Sequence, residues 1–314
     1  MWLVVLFCLL YITIIPLTGN SLIKHVATIL AFYAYISQTW NIVGGLTGLF
    51  SGTHGIWQGL AAYCTIISTA KFGLPIWTGL LLTIAVNGAL AFLIGIASSR
   101  MVGLYFVMCS IAVGQAVYSI AVNWMTFTGG NSGRALHMRY GAYREYMFFI
   151  IFAMTVCMFA LFVFIRKSRF GSLLVAVREN ELFAKSLGIN TSAVKVMAVV
   201  TSAVLAGIGG YAYIIYLMVV HPSQLTAGIN MKIMVVVLVG GIGTAIGPAL
   251  GCLIILLDEV VRMTIGSTYA PLAVIVYAVI LITVVMFRPK GLASLKWFQP
   301  KQRPSVLRPP VVTN

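Results

Sequence analysis

Few side chains in this sequence have the types and spacing that catalysis or metal binding requires. His25, His54, His137 and His221 lie far apart, without the spacing of metal ligands. The dipeptide Gly-Lys does not occur, so the chain has no phosphate-binding P-loop. The five cysteines lie singly in apolar runs, where we expect small buried hydrophobes rather than zinc or redox ligands. The sequence therefore predicts no catalytic residue, no metal and no cofactor.

Glycine instead clusters in two segments, the first of which is also rich in serine and threonine. Residues 41–55 read NIVGGLTGLFSGTHG, and residues 240–248 read GGIGTAIGP. Glycine and proline at this density interrupt a helix, which exposes backbone N–H and C=O groups that can bind a polar solute. The alternative is that the glycines only allow close helix packing, and that His54 is structural. The candidate residues for a translocation path are Asn41, Ser51, His54, Gly240, Gly241, Gly243 and Gly247.

The composition places these two segments in a membrane. Hydrophobic residues make up 61% of the chain and charged residues only 8%, whereas soluble domains carry about 25% charged residues. This excludes a soluble enzyme, a disordered chain and a disulfide-stapled secreted module. The net charge of +15 comes mostly from short connectors and the tail, where lipid headgroups account for it better than nucleic acid does.

Uncharged runs predict the helices that hold the two segments. The stretch 26–70 is about twice the length of one membrane-spanning helix, which predicts two helices joined by the first break. Residues 2–18 are interpreted as an uncleaved span, with a signal peptide as the alternative. We expect an all-α polytopic membrane protein with about eight full transmembrane helices plus broken or re-entrant glycine-rich segments. The remaining spans are expected at 75–97, 101–123, 147–165, 196–220 and 267–287.

Basic residues predict the orientation. The connector 166–195 and the tail after residue 287 are the most basic segments, which places both of them and the N-terminus in the cytoplasm. Residues 233–257 must then begin and end on the outer face, as a hairpin of two short helices whose break approaches the first one near mid-membrane. Asp258 and Glu259 are expected to form an ordinary ion pair with Arg262 there. The domains expected are a transmembrane domain, 1–290, and a basic, proline-containing cytoplasmic tail, 291–314.

The connector also carries an amphipathic helical pattern. Ser172 is expected to cap its helix and Gly188 to end it. Apolar residues at near-helical spacing alternate with Arg178, Glu179 and Glu181. Such a surface requires lipid headgroups or a groove on another protein.

The connector resembles the cytoplasmic coupling loop of bacterial ABC-importer permeases. In RENELFAKSLGIN, residues Glu181, Ala184 and Gly188 match the Glu-x-x-Ala-x-x-x-Gly core of that loop. Three further stretches resemble the LivM-type permeases for branched-chain amino acids: Gly103–Gly133, Val235–Gly251 and Phe287–Leu292. The first glycine-rich segment resembles that family too, although Ser51-Gly52-Thr53-His54 stands where the family usually has Ser-Leu-Gly-His.

The resemblance implies the permease subunit of an importer in the bacterial inner membrane. Its expected partners are a homologous second permease, two ATP-binding subunits that hydrolyse ATP, a periplasmic solute-binding protein and the lipid bilayer, without nucleic acid. Branched-chain amino acids are the expected solutes, ahead of urea, short amides and other hydrophobic amino acids. The alternative is a stand-alone channel or secondary transporter for a small polar solute such as urea or an amide, against which the scarcity of intramembrane acids counts. The coupling residues implied are Arg178, Glu179, Glu181, Ala184 and Gly188.

Overall fold

A computed structural model describes residues 21–99, 101, 103–136 and 143–265, together with 279, 286, 291 and 292. The predicted first span, 2–18, nearly all of the last, 267–287, and the tail beyond residue 292 lie outside the described residues. Helices dominate the part described, which confirms an all-α protein.

Eleven α-helices run through the described residues, and we number them in chain order. Residues Ile42–Thr47 continue α1 as a wider π-helix, and Gly130–Ser132 and Pro222–Leu225 form 3-10 turns. Two short strands, β1 (Arg134–Ala135) and β2 (Val219–Val220), pair antiparallel and join two loops. The helices are α1 (Ser21–Asn41), α2 (His54–Ala70), α3 (Ile76–Ser98), α4 (Leu104–Asn123), α5 (Met125–Thr128), α6 (Tyr143–Lys167), α7 (Arg169–Glu179), α8 (Glu181–Ser186), α9 (Thr191–Leu217), α10 (Ala227–Gly240) and α11 (Gly247–Ile265).

Four of these helices are long and apolar enough to cross a membrane, in α3, α4, α6 and α9. Their bounds agree within a few residues with the predicted spans. The two helices expected in 26–70 are α1 and α2, which carry more polar residues. The prediction of about eight full spans is therefore confirmed only for four helices within the described ranges.

Helix α9 lies at the centre of the bundle, packed on α1, α2, α3 and α6. Small residues on its surface allow this close packing. A side chain at Gly207 would collide with Asn87 of α3, and one at Gly210 would lie 2.6 Å from the Gln58 Cα of α2. Close backbone approach through glycine is a common way for helices to associate within a bilayer, where no hydrophobic force drives them together.

Helices α10 and α11 form the predicted hairpin. A side chain at Gly240 would meet the backbone of Gly247, and one at Gly251 would meet the backbone of Val236, so the two helices run antiparallel in close contact. The ion pair predicted for Asp258 and Glu259 involves the Arg262 side chain, which lies outside the part of the chain that the structure describes. The Asp258 carboxylate lies 2.6 Å from Lys232 Nζ on the facing helix. A hairpin places these two positions side by side, which spacing within one helix does not show.

The connector between α6 and α9 folds as two helices, α7 and α8, rather than one starting at a Ser172 cap. Ser168 has the extended backbone of a cap, and its hydroxyl accepts the Gly171 N–H at 3.2 Å. Ser172 lies inside the helix that Ser168 begins. The chain becomes extended again at Asn180, whose side chain accepts the Phe183 N–H at 3.0 Å and so caps α8.

Candidate functional site

The first glycine-rich break has the bounds that the sequence predicts. Helix α1 ends at Asn41, the π-helix ends at Thr47, and α2 begins at His54. Gly48, with φ +71°, stops the helix in the left-handed conformation that glycine adopts without strain. The second break likewise occupies the residues between α10 and α11, as predicted.

The side chain of Asn41 joins the two breaks. Its amide Nδ2 donates to the Thr244 carbonyl at 2.9 Å, and its Oδ1 accepts the Gly243 N–H at 2.8 Å. Gly45 permits this approach, because a Cβ there would lie 2.8 Å from the Gly243 nitrogen. We call Asn41, Gly45, Gly243 and Thr244 the junction. The prediction that the two breaks approach each other is confirmed, while their depth in a bilayer stays a prediction.

The junction lies at the end of the bundle that carries the connector. Arg178 of α7 donates from Nη1 to the Gly45 carbonyl at 2.8 Å. Gly291, which follows the predicted last span, lies at the same end, because a Cβ on it would be 2.6 Å from the Gly241 nitrogen. The connector, both breaks and the start of the tail are therefore neighbours.

His54 is buried inside the bundle, with 1% of its surface exposed. Its Nε2 lies 2.6 Å from the Ser202 hydroxyl, which itself donates to the Thr39 carbonyl at 2.7 Å. Because that hydroxyl has one proton to donate, His54 must donate from Nε2, which leaves Nδ1 as an acceptor. Its backbone N–H donates to Asn230 Oδ1 at 2.9 Å. These contacts tie α2 to α9 and α10, and a role in a solute path stays a prediction.

The other candidate path residues hold each break in shape. The Ser51 hydroxyl lies 2.8 Å from Thr53 Oγ1, and the Ser51 carbonyl accepts the Trp40 indole N–H at 2.8 Å. Gly240 and Gly247 contact each other across the hairpin. All seven candidate path residues are buried.

Glu181 ties α8 to the start of α9. Its carboxylate lies 2.7 Å from Lys195 Nζ and 3.1 Å from Lys185 Nζ, and it accepts the Thr191 hydroxyl at 3.2 Å. Partial burial alone would raise the pKa of Glu181, but the hydrogen bonds from Lys195 and Lys185 outweigh it and lower that pKa below its ordinary value. The Glu181 carboxylate is thus largely engaged by groups of its own chain.

The remaining coupling residues divide between the two helices. Ala184 is buried against its own chain, with 1% of its surface exposed, and its role in coupling stays a prediction. Gly188, with φ +81°, ends α8 as predicted: its N–H donates to Lys185 O, and the Ile189 N–H donates to Ala184 O. Glu179 forms an exposed ion pair with Arg178 at 2.6 Å.

Helix α8 and the turn after it present apolar side chains to the outside. The exposed fractions are 78% for Leu182, 62% for Phe183 and 65% for Leu187. We call these three residues the apolar face of α8. They lie on a segment flanked by charged residues rather than in an apolar span, so their exposure indicates a surface that another molecule covers.

Several residues that shape the site escaped the sequence reading. Ser202 and Asn230 hold His54, and Lys195 holds Glu181, yet none of the three belongs to a recognisable motif. Gln58 lines a cavity of about 90 Å³ between α1, α2, α9 and α10, and its Oε1 is buried without a hydrogen bond. For Ser202 and Gln58, the available signal is a polar residue inside a predicted span.

Comparisons with known proteins indicate one family of membrane transport proteins. A family model described as "Branched-chain amino acid transport system / permease component" matches residues 22–285. The chain is 24% identical to the high-affinity branched-chain amino acid transport system permease protein LivM of Salmonella typhimurium, over 86% of this chain and 69% of that one. It is 28% identical to the high-affinity branched-chain amino acid transport system permease protein LivH of Escherichia coli, over 83% of this chain and 90% of that one. No solved structure matches the chain.

Proposed function

The chain belongs to the branched-chain amino acid transport system permease component family, and we propose that it forms part of the membrane path of an ATP-binding-cassette importer. The observation that carries the proposal is the extent of the family match, residues 22–285, which takes in both breaks and the connector. The chain is a multi-pass membrane protein and a transport subunit. In the proposed assembly, ATP is hydrolysed by separate subunits.

A second, homologous permease completes the membrane part of the proposed importer. This chain is similar both to LivM and to LivH proteins. Both are named as permease proteins of a high-affinity branched-chain amino acid transport system. That double similarity supports a path between two related subunits, with one solute-binding protein outside and two ATP-binding subunits inside. The bacterial inner membrane is the proposed location.

The proposed solute path runs past the junction. Two broken helices meet there through Asn41, and broken helices place backbone N–H and C=O groups where a polar solute can bind them. Replacing Gly243 by valine should abolish uptake, since its φ is +71° and a Cβ would lie 3.2 Å from the Gly45 carbonyl oxygen. Gly228→Val in α10 is the control, because only Thr226 Oγ1, at 3.9 Å, is near its Cβ position. Normal uptake by the Gly243 variant would assign these glycines to packing alone.

The apolar face of α8 is the proposed docking surface for an ATP-binding subunit. Leu182, Phe183 and Leu187 are exposed on the connector, and the positive charge of this segment supports a cytoplasmic position for it. The adjacency of the connector, the junction and Gly291 supports a cytoplasmic position for the start of the tail. Both ends of the α10–α11 hairpin then face outward.

Branched-chain amino acids are the proposed solutes, as the names of the relatives indicate for those proteins. The test uses proteoliposomes that contain this chain with the second permease and the ATP-binding subunits, supplied with the solute-binding protein. Labelled leucine should accumulate only with ATP, and labelled urea and acetamide should not. Uptake into vesicles that contain this chain alone would contradict the proposal and establish a stand-alone channel or secondary transporter.

A further inference from the structure

Arg178 extends from the connector into the junction of the two breaks. It is near the C-terminal end of α7, and 40% of its side chain is exposed. Its guanidinium donates through Nη1 to the Gly45 carbonyl at 2.8 Å and through Nη2 to Glu179 Oε1 at 2.6 Å. One side chain thus connects the surface of the connector to a backbone atom of the first break.

Glycines provide the space that the guanidinium occupies. A Cβ at Gly48 would lie 2.9 Å from Arg178 Cγ, and a Cβ at Gly243 would lie 3.4 Å from Arg178 Nη1. Both glycines have positive φ, +71° in each case, so a larger residue would also strain the backbone. Arg178 therefore contacts the first break directly and lies beside the second, which Asn41 joins to the first.

The hydrogen bond from Arg178 stabilises the partial negative charge at the helix end in the first break. The last carbonyls of a helix have no partner within it and carry a partial negative charge. Gly45 is in the last turn of the helix that runs from α1 through Ile42–Thr47. A guanidinium holds such a carbonyl while bonding a carboxylate with its other N–H groups, which an ammonium group does less well.

We propose that Arg178 is the positioning residue through which the connector holds the junction closed. The inference rests on the proposed function, because it assumes that the junction is part of the solute path. Leu174 and Val177 pack the middle of α7 on the core, and Arg178 lies at its C-terminal end, next to α8, whose apolar face is available to the ATP-binding subunit. Displacement of α8 by that subunit shifts α7, withdraws the guanidinium from Gly45 and releases the two breaks from each other.

In this proposal, Arg178 shifts the equilibrium between the closed and open forms of the junction toward the closed form. Loss of one hydrogen bond from a charged donor, with its acceptor left buried, changes such an equilibrium by about tenfold or more. Complexes with Arg178→Gln should therefore leak preloaded leucine from proteoliposomes about tenfold faster without ATP. They should also take up less leucine for each ATP hydrolysed. Co-purification of the ATP-binding subunits should stay unchanged, since the Arg178 guanidinium bonds Gly45 and Glu179 of its own chain.

Two further variants control the experiment. Arg178→Lys keeps the charge without the planar fork, so its leak should lie between those of the wild type and Arg178→Gln. Arg169→Gln removes an exposed arginine from the other end of α7 and should leave both leak and uptake unchanged. If Arg178→Gln does not assemble, the leak of Arg178→Lys decides: a raised leak supports the proposal, and a wild-type leak overturns it.

The outcomes separate this inference from the proposed function. If the wild-type complex shows no ATP-dependent uptake, the proposed function fails and the inference fails with it. If the wild type transports leucine while Arg178→Gln keeps the wild-type leak and the wild-type ratio of uptake to hydrolysis, only the inference is overturned. Loss of ATP-binding subunits from Arg178→Gln, with an unchanged leak in Arg178→Lys, would instead make Arg178 a partner contact.

Discussion

The two short helices of the connector use similar residues for opposite purposes. Helix α7 buries its apolar side chains, Leu174 and Val177, and directs Arg178 toward the junction. Helix α8 exposes its apolar face and buries Ala184 instead, while Glu181 fastens it to α9. An apolar residue on a short helix therefore does not reveal whether it contacts its own protein or another. We therefore assign α7 to the helix bundle and α8 to the contact with a partner, and we call this assignment the division of the connector. Each prediction below tests the part of it that concerns one of the two helices.

The largest effect on folding is expected from a glycine of α7. A Cβ at Gly171 would collide with the Ile165 carbonyl and lie 2.9 Å from Arg166 Cα, so Gly171→Ala must shift the corner between α6 and α7. We expect a loss of about 3 kcal/mol in stability. Gly188, beside α8, has open space around its Cβ position, and Gly188→Ala should cost only about 1 kcal/mol through its positive φ. Thermal unfolding in detergent measures the stability of both variants. Equal losses of stability in Gly171→Ala and Gly188→Ala would contradict the division of the connector.

A somewhat smaller effect is expected where α8 is fastened to α9. Glu181→Gln leaves Lys195, whose side chain is 4% exposed, without its carboxylate partner, at a cost of about 2 kcal/mol or more. Lys195→Met in the same chain removes the unpaired charge and should recover much of that loss. A double variant no more stable than Glu181→Gln would show that this ion pair does not hold α8 in place.

The same ion pair gives a pH dependence of known sign. The folded state lowers the pKa of Glu181 below its ordinary value of 4.5, so the unfolded chain binds this proton more tightly. The stabilisation is complete above pH 4.5 and is lost as the pH falls through the folded-state pKa. The wild-type melting temperature should accordingly fall more over this acid range than that of Glu181→Gln. If the melting temperatures of the wild type and Glu181→Gln fall equally over this pH range, ionisation of Glu181 does not stabilise the folded chain.

The smallest effect on folding is expected on the apolar face of α8. Phe183→Ser replaces an exposed side chain, so the stability of the isolated chain should change by less than about 0.5 kcal/mol. The same variant should retain less ATP-binding subunit on co-purification, because the lost apolar area belongs to the proposed interface. If Phe183→Ser lowers the stability of the isolated chain but retains all of the ATP-binding subunit, α8 packs on its own chain rather than on that subunit.

Length and composition predicted most of the fold, because both are local properties of the chain. Uncharged runs located the spans, and dense glycine located both breaks, Asn41–His54 and Gly240–Gly247. The hairpin followed from the alternation of basic segments across the membrane. Each of these inferences needs only the thickness of a bilayer and the hydrogen-bonding needs of a backbone inside it.

The partners of individual polar groups could not be predicted in the same way. Asn41 of α1 bonds Thr244, and Asp258 of α11 forms an ion pair with Lys232 of α10. Such pairs depend on which faces of distant helices meet, which one sequence does not specify. Ser168 and Ser172 are equally good caps by residue type, and only the backbone angle after α6 decides between them.

The division of the connector is tested most directly by cross-linking at Phe183. A photo-reactive amino acid placed there, in the membrane-embedded complex, should form an adduct with an ATP-binding subunit. The control is the same amino acid at Phe164, which is 71% exposed within the apolar span of α6 and should give no such adduct. An adduct from Phe183 but not from Phe164 is the predicted result. Adducts with lipid alone at both positions would contradict the account and place α8 on the membrane surface.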